Sequence, residues 1–484
     1  MSVADWQLVV GLEVHAQLLT RSKIFCGCST AFGGEPNSHV CPVCLGMPGV
    51  LPALNRQVVE FAVRTGLALG CAVQEKSVFA RKNYFYPDLP KGYQVSQYEL
   101  PICLGGAVEF DLDGEERRVR LTRIHMEEDA GKNLHGVAAD GSSGVDLNRA
   151  GVPLLEIVSE PDIRSIDEAV EYLKSLRSLL VWLGVNDGNL EEGSFRCDAN
   201  VSVMRKGTDA LGTRCEIKNM NSFRFLRQAI EYEMRRQVEI LEGGGTVVQE
   251  TRLFDPDRGE TRSMRSKEEA HDYRYFPEPD LPPVLVPAPW VEAVRAGLPE
   301  LPRARAARWR RELGLSAYDA GLLSADRATA DFFDATVTAR EGGPEAAKRI
   351  ANLTNGEVAR LANEAGLPVT GGKLTPDGLA GVVRLADEGV VGGPGVRQLL
   401  EVLWRDGGDP RDVVAARGLA QVSDESAVEA AADAVLAASP GEVERYRAGN
   451  RKLIGFFVGQ VMKAMKGKGN PAVVNAVLLR KLGG

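Results

Sequence analysis

The stretch Val9-Val-Gly-Leu-Glu-Val-His-Ala-Gln-Leu18 reads as a single β-strand. Successive side chains of a strand point to opposite faces. Leu8, Val10, Leu12, Val14 and Ala16 therefore fall on one side, and Glu13, His15 and Gln17 on the other. One face is suited to packing and the other offers ligands. A carboxylate and an imidazole two residues apart on a rigid strand are well placed to hold a divalent cation or to face a reacting phosphate. A solvated edge strand shows the same alternation, so the choice rests on what the rest of the chain sets beside it.

At 484 residues, 44% hydrophobic and 26% charged, the chain is globular and too long for one core; its length implies about three domains. No apolar run approaches the roughly 20 residues that span a bilayer, and the first residues lack the charged region and apolar core of a secretory signal. The expected compartment is the cytoplasm, with no membrane partner. Eight cysteines in that compartment do not suggest a disulfide framework. Cys71, Cys103, Cys197 and Cys215 stand among apolar neighbours and read as core residues; the other four cluster. The net charge of −8 argues against a simple basic nucleic-acid binder, yet Arg445 to Gly484 contains nine Lys or Arg and no Asp or Glu. A basic tail on an acidic body suits a module that touches a polyanion.

The expected fold class is α+β. Residues 1–292 alternate strand-like and turn-like segments around two clear helices. Ser165-Ile-Asp-Glu168 has the form of a capping box and opens a helix to about Leu183, with Val170, Leu173, Leu176 and Leu180 on its buried face. The second helix runs from about Ser222 to Glu242 and stops at Gly243-Gly-Gly245. Six prolines between Pro277 and Pro289 exclude regular helix and central strand; the segment reads as a linker or as an extended strand closing the first domain. Helical periodicity over Arg303–Leu313, Ala325–Ala339, Ala347–Ala365 and Pro376–Glu388 predicts a helical bundle across 293–405. The break Asp406-Gly-Gly-Asp-Pro410 sets off a small all-α tail domain, 406–484.

Cys26-Gly-Cys28 and Cys41-Pro-Val-Cys44 have the spacing of a tetrahedral four-thiolate Zn²⁺ site. With sulfur at all four positions the site is structural. Four reduced cysteines in a loop are the alternative, because C-x-C is less usual than C-x-x-C, and His39 is a reserve ligand. A second constellation is made of acids. Ile124-His-Met-Glu-Glu-Asp-Ala-Gly-Lys132 sets Glu127, Glu128 and Asp129 in a row beside an imidazole, which is costly unless cations offset the repulsion. Glu156 lies inside the apolar run Leu154-Leu-Glu-Ile-Val158, where an unpaired carboxylate is expensive to bury. Phe195-Arg-Cys-Asp-Ala-Asn-Val-Ser-Val203 turns Arg196, Asp198, Asn200 and Ser202 away from Cys197, Ala199, Val201 and Val203; Arg214, Glu216 and Lys218 share a face in the next strand. Oxygen ligands beside cations on several strands suit Mg²⁺ and nucleotide phosphates. The chain contains no P-loop, so bound ATP would have its phosphates held by metal and basic side chains. Ala80 to Gln97, dense in aromatic and basic residues including Lys82 and Lys91, reads as a binding loop. Asp140-Gly-Ser-Ser-Gly144 resembles an amidase signature but reads as a hairpin tip.

Taken in order, Val-Gly-Leu-Glu-Val-His (10–15), Pro-Gly-Val-Leu-Pro (48–52), Arg-Lys-Asn-Tyr-Phe-Tyr-Pro-Asp (81–88), His-Met-Glu-Glu-Asp-Ala-Gly-Lys (125–132), Ile-Val-Ser-Glu-Pro-Asp (157–162), Arg-Cys-Asp-Ala-Asn (196–200) and Asp-Tyr-Arg-Tyr-Phe-Pro-Glu-Pro-Asp (272–280) resemble the GatB/GatE family of aspartyl/glutamyl-tRNA amidotransferase subunits. The resemblance continues into Ile-Gly-Phe-Phe-Val-Gly-Gln-Val-Met-Lys-Ala (454–464). It implies a cradle-shaped kinase-like first domain and a ligase that phosphorylates the side-chain carboxylate of Glu on tRNA(Gln), or of Asp on tRNA(Asn), at the expense of ATP. Ammonia from a GatA-type glutaminase subunit then displaces phosphate, in a heterotrimer completed by a GatC-type subunit. Carried over, Glu13, His15, Glu128 and Glu156 hold Mg²⁺, with Glu127 a further catalytic carboxylate. Lys82 and Lys91 face the phosphate or the ammonia path, and Arg196, Asp198, Asn200, Glu216 and Lys218 line the ATP site. Arg451, Lys452, Lys463, Lys466 and Lys468 meet tRNA. Some members lack the cysteines, so zinc here rests on their spacing. A non-catalytic RNA-binding scaffold and a stand-alone ligase using free ammonia are the competing readings.

Overall fold

A computed structural model describes residues 5–134, 136, 143–266, 273–421, 424–465 and 467–483; Lys466 and residues 140–142 of the hairpin tip expected over 140–144 lie outside them. The chain divides into two compact units, Met1–Leu301 and Pro302–Gly484.

The first unit is organised around strand β1 (Trp6–Gln17). Its other principal elements, in chain order, are α1 (Arg56–Ala68), β2 (Ala80–Asn83), β3 (Tyr93–Ser96), β4 (Glu115–Glu128), β5 (Pro153–Ser159), α2 (Ile166–Trp182), β6 (Phe195–Arg205), β7 (Cys215–Lys218), α3 (Phe223–Glu242), β8 (Glu250–Asp255) and β9 (Glu260–Ser266). Among the described residues the main sheet has ten strands and runs β9-β8-β7-β6-β1-β5-β4, then Cys103–Leu104 and Ala72–Val73, with Ala107–Leu112 also on β4. β1 is thus in the middle of the path, with both edges paired, and the edge-strand alternative is excluded. The pairing is antiparallel except between β7 and β8, which are joined through α3 as a parallel pair requires.

The alternation read from β1 is realised. Val10, Leu12, Val14 and Ala16 are fully buried and share one core with Val58 of α1, Leu173 and Leu176 of α2 and Ile230 of α3. Glu13, His15 and Gln17 are half-buried on the other face. The helices start where their caps dictate. Ser222 Oγ accepts from Phe225 N at 3.1 Å, and Ser165 Oγ accepts from Glu168 N at 3.1 Å. Glu168 returns to Arg164 N, at 2.7 Å, one residue earlier than the reciprocal bond of a capping box.

The proline-rich segment closes the first unit. Phe276–Pro277 pairs with Arg81 and Ala80, Val284–Leu285 pairs with Ser77 and Lys76, and Val286 and Val294 enter the main core. Short edge pairing of this kind tolerates proline because few ladder donors are needed. One tight corner is set by Gly106, at φ +90°, where an added Cβ would lie 2.7 Å from Leu69 O. Gly106→Ala is therefore expected to cost about 1–3 kcal/mol. Urea unfolding measures it, and an unchanged midpoint would contradict the geometry.

The second unit is helical. The expected helix over Ala347–Ala365 is broken into Pro344–Leu353, a π-helical turn Thr354–Val358 and Ala359–Ala365. Thr354 Oγ1 donates to Ile350 O at 2.8 Å, a back-bond of the kind that distorts a helix at Thr. Trp309 is fully buried, and its Nε1 donates to Asp334 Oδ1 at 2.7 Å. Towards the C-terminus Val428, Tyr446, Phe457, Val474 and Leu478 form a small core of their own. Among the described residues no helix is long and apolar enough to cross a membrane.

Candidate functional site

Antiparallel register brings residues distant in sequence into one row. His125 of β4 lies opposite Glu156 of β5, Glu156 opposite His15 of β1, and His15 opposite Arg196 of β6. In the next row Glu13 faces Asp198, and further along Asn200 faces Glu216. Cross-strand neighbours on one face stand about 4.5–5.5 Å apart at Cβ, close enough for these side chains to meet.

Two imidazoles bracket two carboxylates. His15 Nε2 is 3.4 Å from Glu156 Oε2 and 3.7 Å from Glu127 Oε1. His125 Nε2 is 3.4 Å from Glu156 Oε2 and 3.8 Å from Glu127 Oε2. Arg123 approaches Glu156 Oε1 at 3.9 Å, and Ser96 Oγ donates to Glu127 at 3.2 Å. One donor atom each from His15, Glu127 and Glu156 falls within 4.8 Å of the others, a set that fits one small cation. Lys82 Nζ sits 5.0 Å from the ring centre of Tyr273 and 5.9 Å from that of Tyr84.

Charge balance follows from this crowding. Burial works against ionisation of Glu156, but His125 and then His15 hold its carboxyl well below the usual range. Burial likewise opposes protonation of His125, yet Glu156 and Glu127 raise it to about 9. His15 is raised too, against its burial, chiefly by Glu156. Burial, followed by the charges of Glu156 and Glu216, raises Glu13. Burial disfavours the Lys82 ammonium, but Glu127, Tyr275 and Glu156 raise its pKa. A cluster that neutralises its carboxylates with protons can exchange those protons for a cation.

Two further groups share this side of the sheet. Lys218 Nζ bonds Asp198 Oδ2 at 2.5 Å and Glu216 Oε1 at 2.9 Å, while Asn200 Nδ2 donates to Glu13 at 2.8 Å. Asp129 receives Arg196 at 3.0 Å and Gln17 at 2.9 Å, and lies 3.6 Å from Arg149. Despite burial, Arg196 and Arg149 lower its pKa. Arg149, Arg196 and Asp198 line a cavity of about 610 Å³.

Two of the residues expected to hold Mg²⁺ stand apart from the group of His15, Glu127 and Glu156. Glu128 does not join His15 and Glu156, because β4 continues through it and period-two alternation turns Glu127, not Glu128, onto the site face. Glu128 instead binds the Lys91 ammonium and Val95 N, the latter at 2.8 Å, and lines a separate cavity of about 210 Å³ with Cys26 and Cys44. Glu13 stands one row away, bonded to Asn200, outside the three-residue group. His125, Asp129, Arg123 and Arg149, to which the sequence assigns no site role, lie beside these residues as ion-pair partners. Alternation of His125 with Glu127 is the signal that points to the first.

The sulfurs of Cys26, Cys28, Cys41 and Cys44 lie within 4.8 Å of one another. Lys23 is fully buried beside Cys44, donating to His39 O at 2.7 Å and Leu147 O at 3.3 Å, with Cys44 Sγ 3.7 Å away. Hydrogen bonding with Cys26 first, and Lys23 among the lesser causes, pulls Cys44 down to about 4; burial pushes Cys28 up to about 11. His39 is not in this group. Arg451, Lys452, Lys463 and Lys468 are exposed. Arg451 lies over the Tyr446 ring at 4.8 Å, and Lys468 donates to Gly418 O at 2.8 Å. Arg480 and Lys481, in contrast, are paired with Glu425, Glu429 and Asp433.

Residues 8–292 match the family model of the GatB/GatE catalytic domain, and residues 331–482 match that of the GatB domain. Over 483 residues the chain is 72% identical to the GatB protein of the aspartyl/glutamyl-tRNA(Asn/Gln) amidotransferase of Anaeromyxobacter dehalogenans and 60% identical to its counterpart in Myxococcus xanthus; each match covers 100% of both chains. The counterpart in Geobacter sulfurreducens is 59% identical, over 99% of this chain and 100% of its own. The α+β sheet unit and the helical unit that follows it are thus those of the GatB family, to which this chain belongs as a subunit of a tRNA-dependent amidotransferase.

Proposed function

We propose that the first unit is the carboxylate-activating module of the amidotransferase. It transfers the γ-phosphoryl group of ATP to the side-chain carboxylate of Glu on tRNA(Gln), of Asp on tRNA(Asn), or of both. Ammonia then attacks the acyl carbon, inorganic phosphate leaves, and a proton is lost to give the amide. A free carboxylate is a poor acyl donor, and phosphorylation supplies the leaving group. The observation that carries this reading is the row His125, Glu156, His15 and Arg196 with Glu127 at its edge, where hard oxygen donors and cations share one face of a rigid sheet.

Glu127, Glu156 and His15 are the residues that would hold Mg²⁺, whose chemistry here is to neutralise phosphate charge. Arg196 and Arg149 are placed to take phosphate oxygens in the adjacent cavity, and Lys82 supplies a fixed positive charge beside Glu127. Asp198, Asn200, Glu216 and Lys218 orient the remaining polar contacts of ATP, with Glu13 held by Asn200. The Lys91–Glu128 pair, on the other side of β4, faces the path of ammonia from a GatA-type subunit, with a GatC-type subunit completing a cytoplasmic heterotrimer. Residues 1–292 serve as the kinase-like cradle, 293–405 as the helical domain and 406–484 as the tRNA-contacting tail, through Arg451, Lys452, Lys463, Lys466 and Lys468.

Transamidation by the assembled complex, run separately with Glu-tRNA(Gln) and Asp-tRNA(Asn), tests the reading. ATP-dependent formation of Gln-tRNA or Asn-tRNA is expected; amide formation without ATP would contradict it. We also assign Zn²⁺ to the four cysteines, in a structural role, since four sulfurs leave no open coordination position. Metal analysis is expected to find one zinc per chain, lost in Cys26→Ser and Cys44→Ser. Full zinc content in both variants would contradict the assignment.

A further inference from the structure

The loop between the two cysteine pairs does more than close the four-thiol group. Its segment from Thr30 to Gly34 forms one wall of the 610 Å³ cavity that Arg149, Arg196 and Asp198 line from the sheet side. That volume lies within the range of small-molecule sites, roughly 300–1,000 Å³. We propose that Asn148 is a positioning residue for ATP, fastening this loop to the segment that aims Arg149 and, through Asp129, Arg196. The inference rests on the ATP-dependent reading above.

Asn148 uses both ends of its amide on the loop backbone. Its Oδ1 accepts from His39 N at 2.7 Å, and its Nδ2 donates to Glu35 O at 2.7 Å and Gly34 O at 3.4 Å. Asn37 clasps from the opposite side: its Nδ2 donates to Val145 O at 2.9 Å and its Oδ1 accepts from Leu147 N at 2.8 Å. Asp146 Oδ1 ties the two together, accepting from Asn37 N and Asn148 N, each at 3.0 Å. Arg149, next in the chain, donates to Ala130 O at 2.9 Å and Gly131 O at 2.6 Å. It flanks Asp129, to which Arg196 is bonded at 3.0 Å. A displacement of the loop is therefore passed within one residue to the first guanidinium and through one carboxylate to the second. Phosphate recognition by two guanidinium groups depends on fixed geometry, so the clasp, whose Asp146 and Asn148 also border the cavity, sets affinity for ATP by holding that geometry.

The test uses the full-length chain in zinc-supplemented buffer, with variants compared at equal zinc content, and titrates a fluorescent ATP analogue with Mg²⁺. Asn148→Ala is expected to weaken binding by at least about tenfold, the scale of one to two lost hydrogen bonds. In the assembled enzyme KM for ATP rises with it, while KM for the aminoacyl-tRNA stays within about twofold. Asn37 lies at φ +60°, a conformation glycine adopts freely, so Asn37→Gly removes the second clasp without adding strain and repeats the test where Asn148→Ala does not fold. Unchanged affinity, or an equal rise in both KM values, overturns the positioning role. Absence of binding by the unmodified chain overturns the ATP-dependent reading itself.

Discussion

Replacing Glu156 by Gln is expected to slow transamidation by the assembled enzyme by about 10²–10³-fold, the cost typical of removing one preorganised electrostatic contact, with the fold retained. The carboxylate lies 3.4 Å from both His15 and His125 and 3.9 Å from Arg123, so it is the common neighbour of three cationic groups. An amide keeps the shape but cannot balance those charges or serve as an anionic ligand. On the proposed mechanism the effect should fall on kcat, because the group would face the reacting phosphate and not the body of the tRNA. Circular dichroism and zinc content should match the unmodified protein. A rate within threefold of the original would remove Glu156 from the chemistry.

The second large effect concerns stability and lies away from the site. Glu233 is fully buried on α3, bonded to Arg236 at 2.6 and 3.0 Å, to Gln237 at 2.9 Å and to Thr261 at 2.9 Å, with Arg252 3.3 Å away. Glu233→Ala leaves two guanidinium groups short of a counter-charge and is expected to cost about 3–5 kcal/mol. Burial opposes ionisation of Glu233, but hydrogen bonds from Arg236 and Gln237 win and lower its pKa below the ordinary 4.5. A carboxyl lowered on folding stabilises the native state above its unfolded pKa and loses that contribution as pH falls through the folded value. The penalty should therefore be complete above about pH 4.5 and shrink below it. Urea unfolding at pH 7 and in acid checks both halves, and a penalty that grows on acidification would contradict the sign.

Much of the scaffold is legible in the chain because it is local. β1 announces itself by alternating Val, Leu and Ala against Glu, His and Gln, and α2 and α3 by Ser165 and Ser222 at their starts and glycine after α3. What brings Glu156 between His15 and His125 is pairing register, a non-local quantity that no single segment carries. The choice between Glu127 and Glu128 shows the limit most clearly. Both follow His125 in an acidic run, and only the phase in which β4 continues decides which one faces Glu156. Lys23 is another such case: nothing local marks it for the interior, yet folding buries it against the Cys44 thiol and two carbonyls. The proline-rich stretch left linker and closing strand both open, and pairing with Ala80–Arg81 and Lys76–Ser77 decides for the strand.

On the proposed mechanism the substrate carboxylate itself is phosphorylated, and the fate of its oxygen atoms decides the matter. Glu-tRNA(Gln) carrying ¹⁸O in both side-chain carboxylate oxygens is turned over by the complex with ATP and ammonia, and the inorganic phosphate is analysed by mass. An acyl phosphate requires each phosphate released to carry a single ¹⁸O from the substrate. Phosphate free of ¹⁸O, at the same yield of Gln-tRNA, would show that the carboxylate was never phosphorylated and would rule out an acyl-phosphate route.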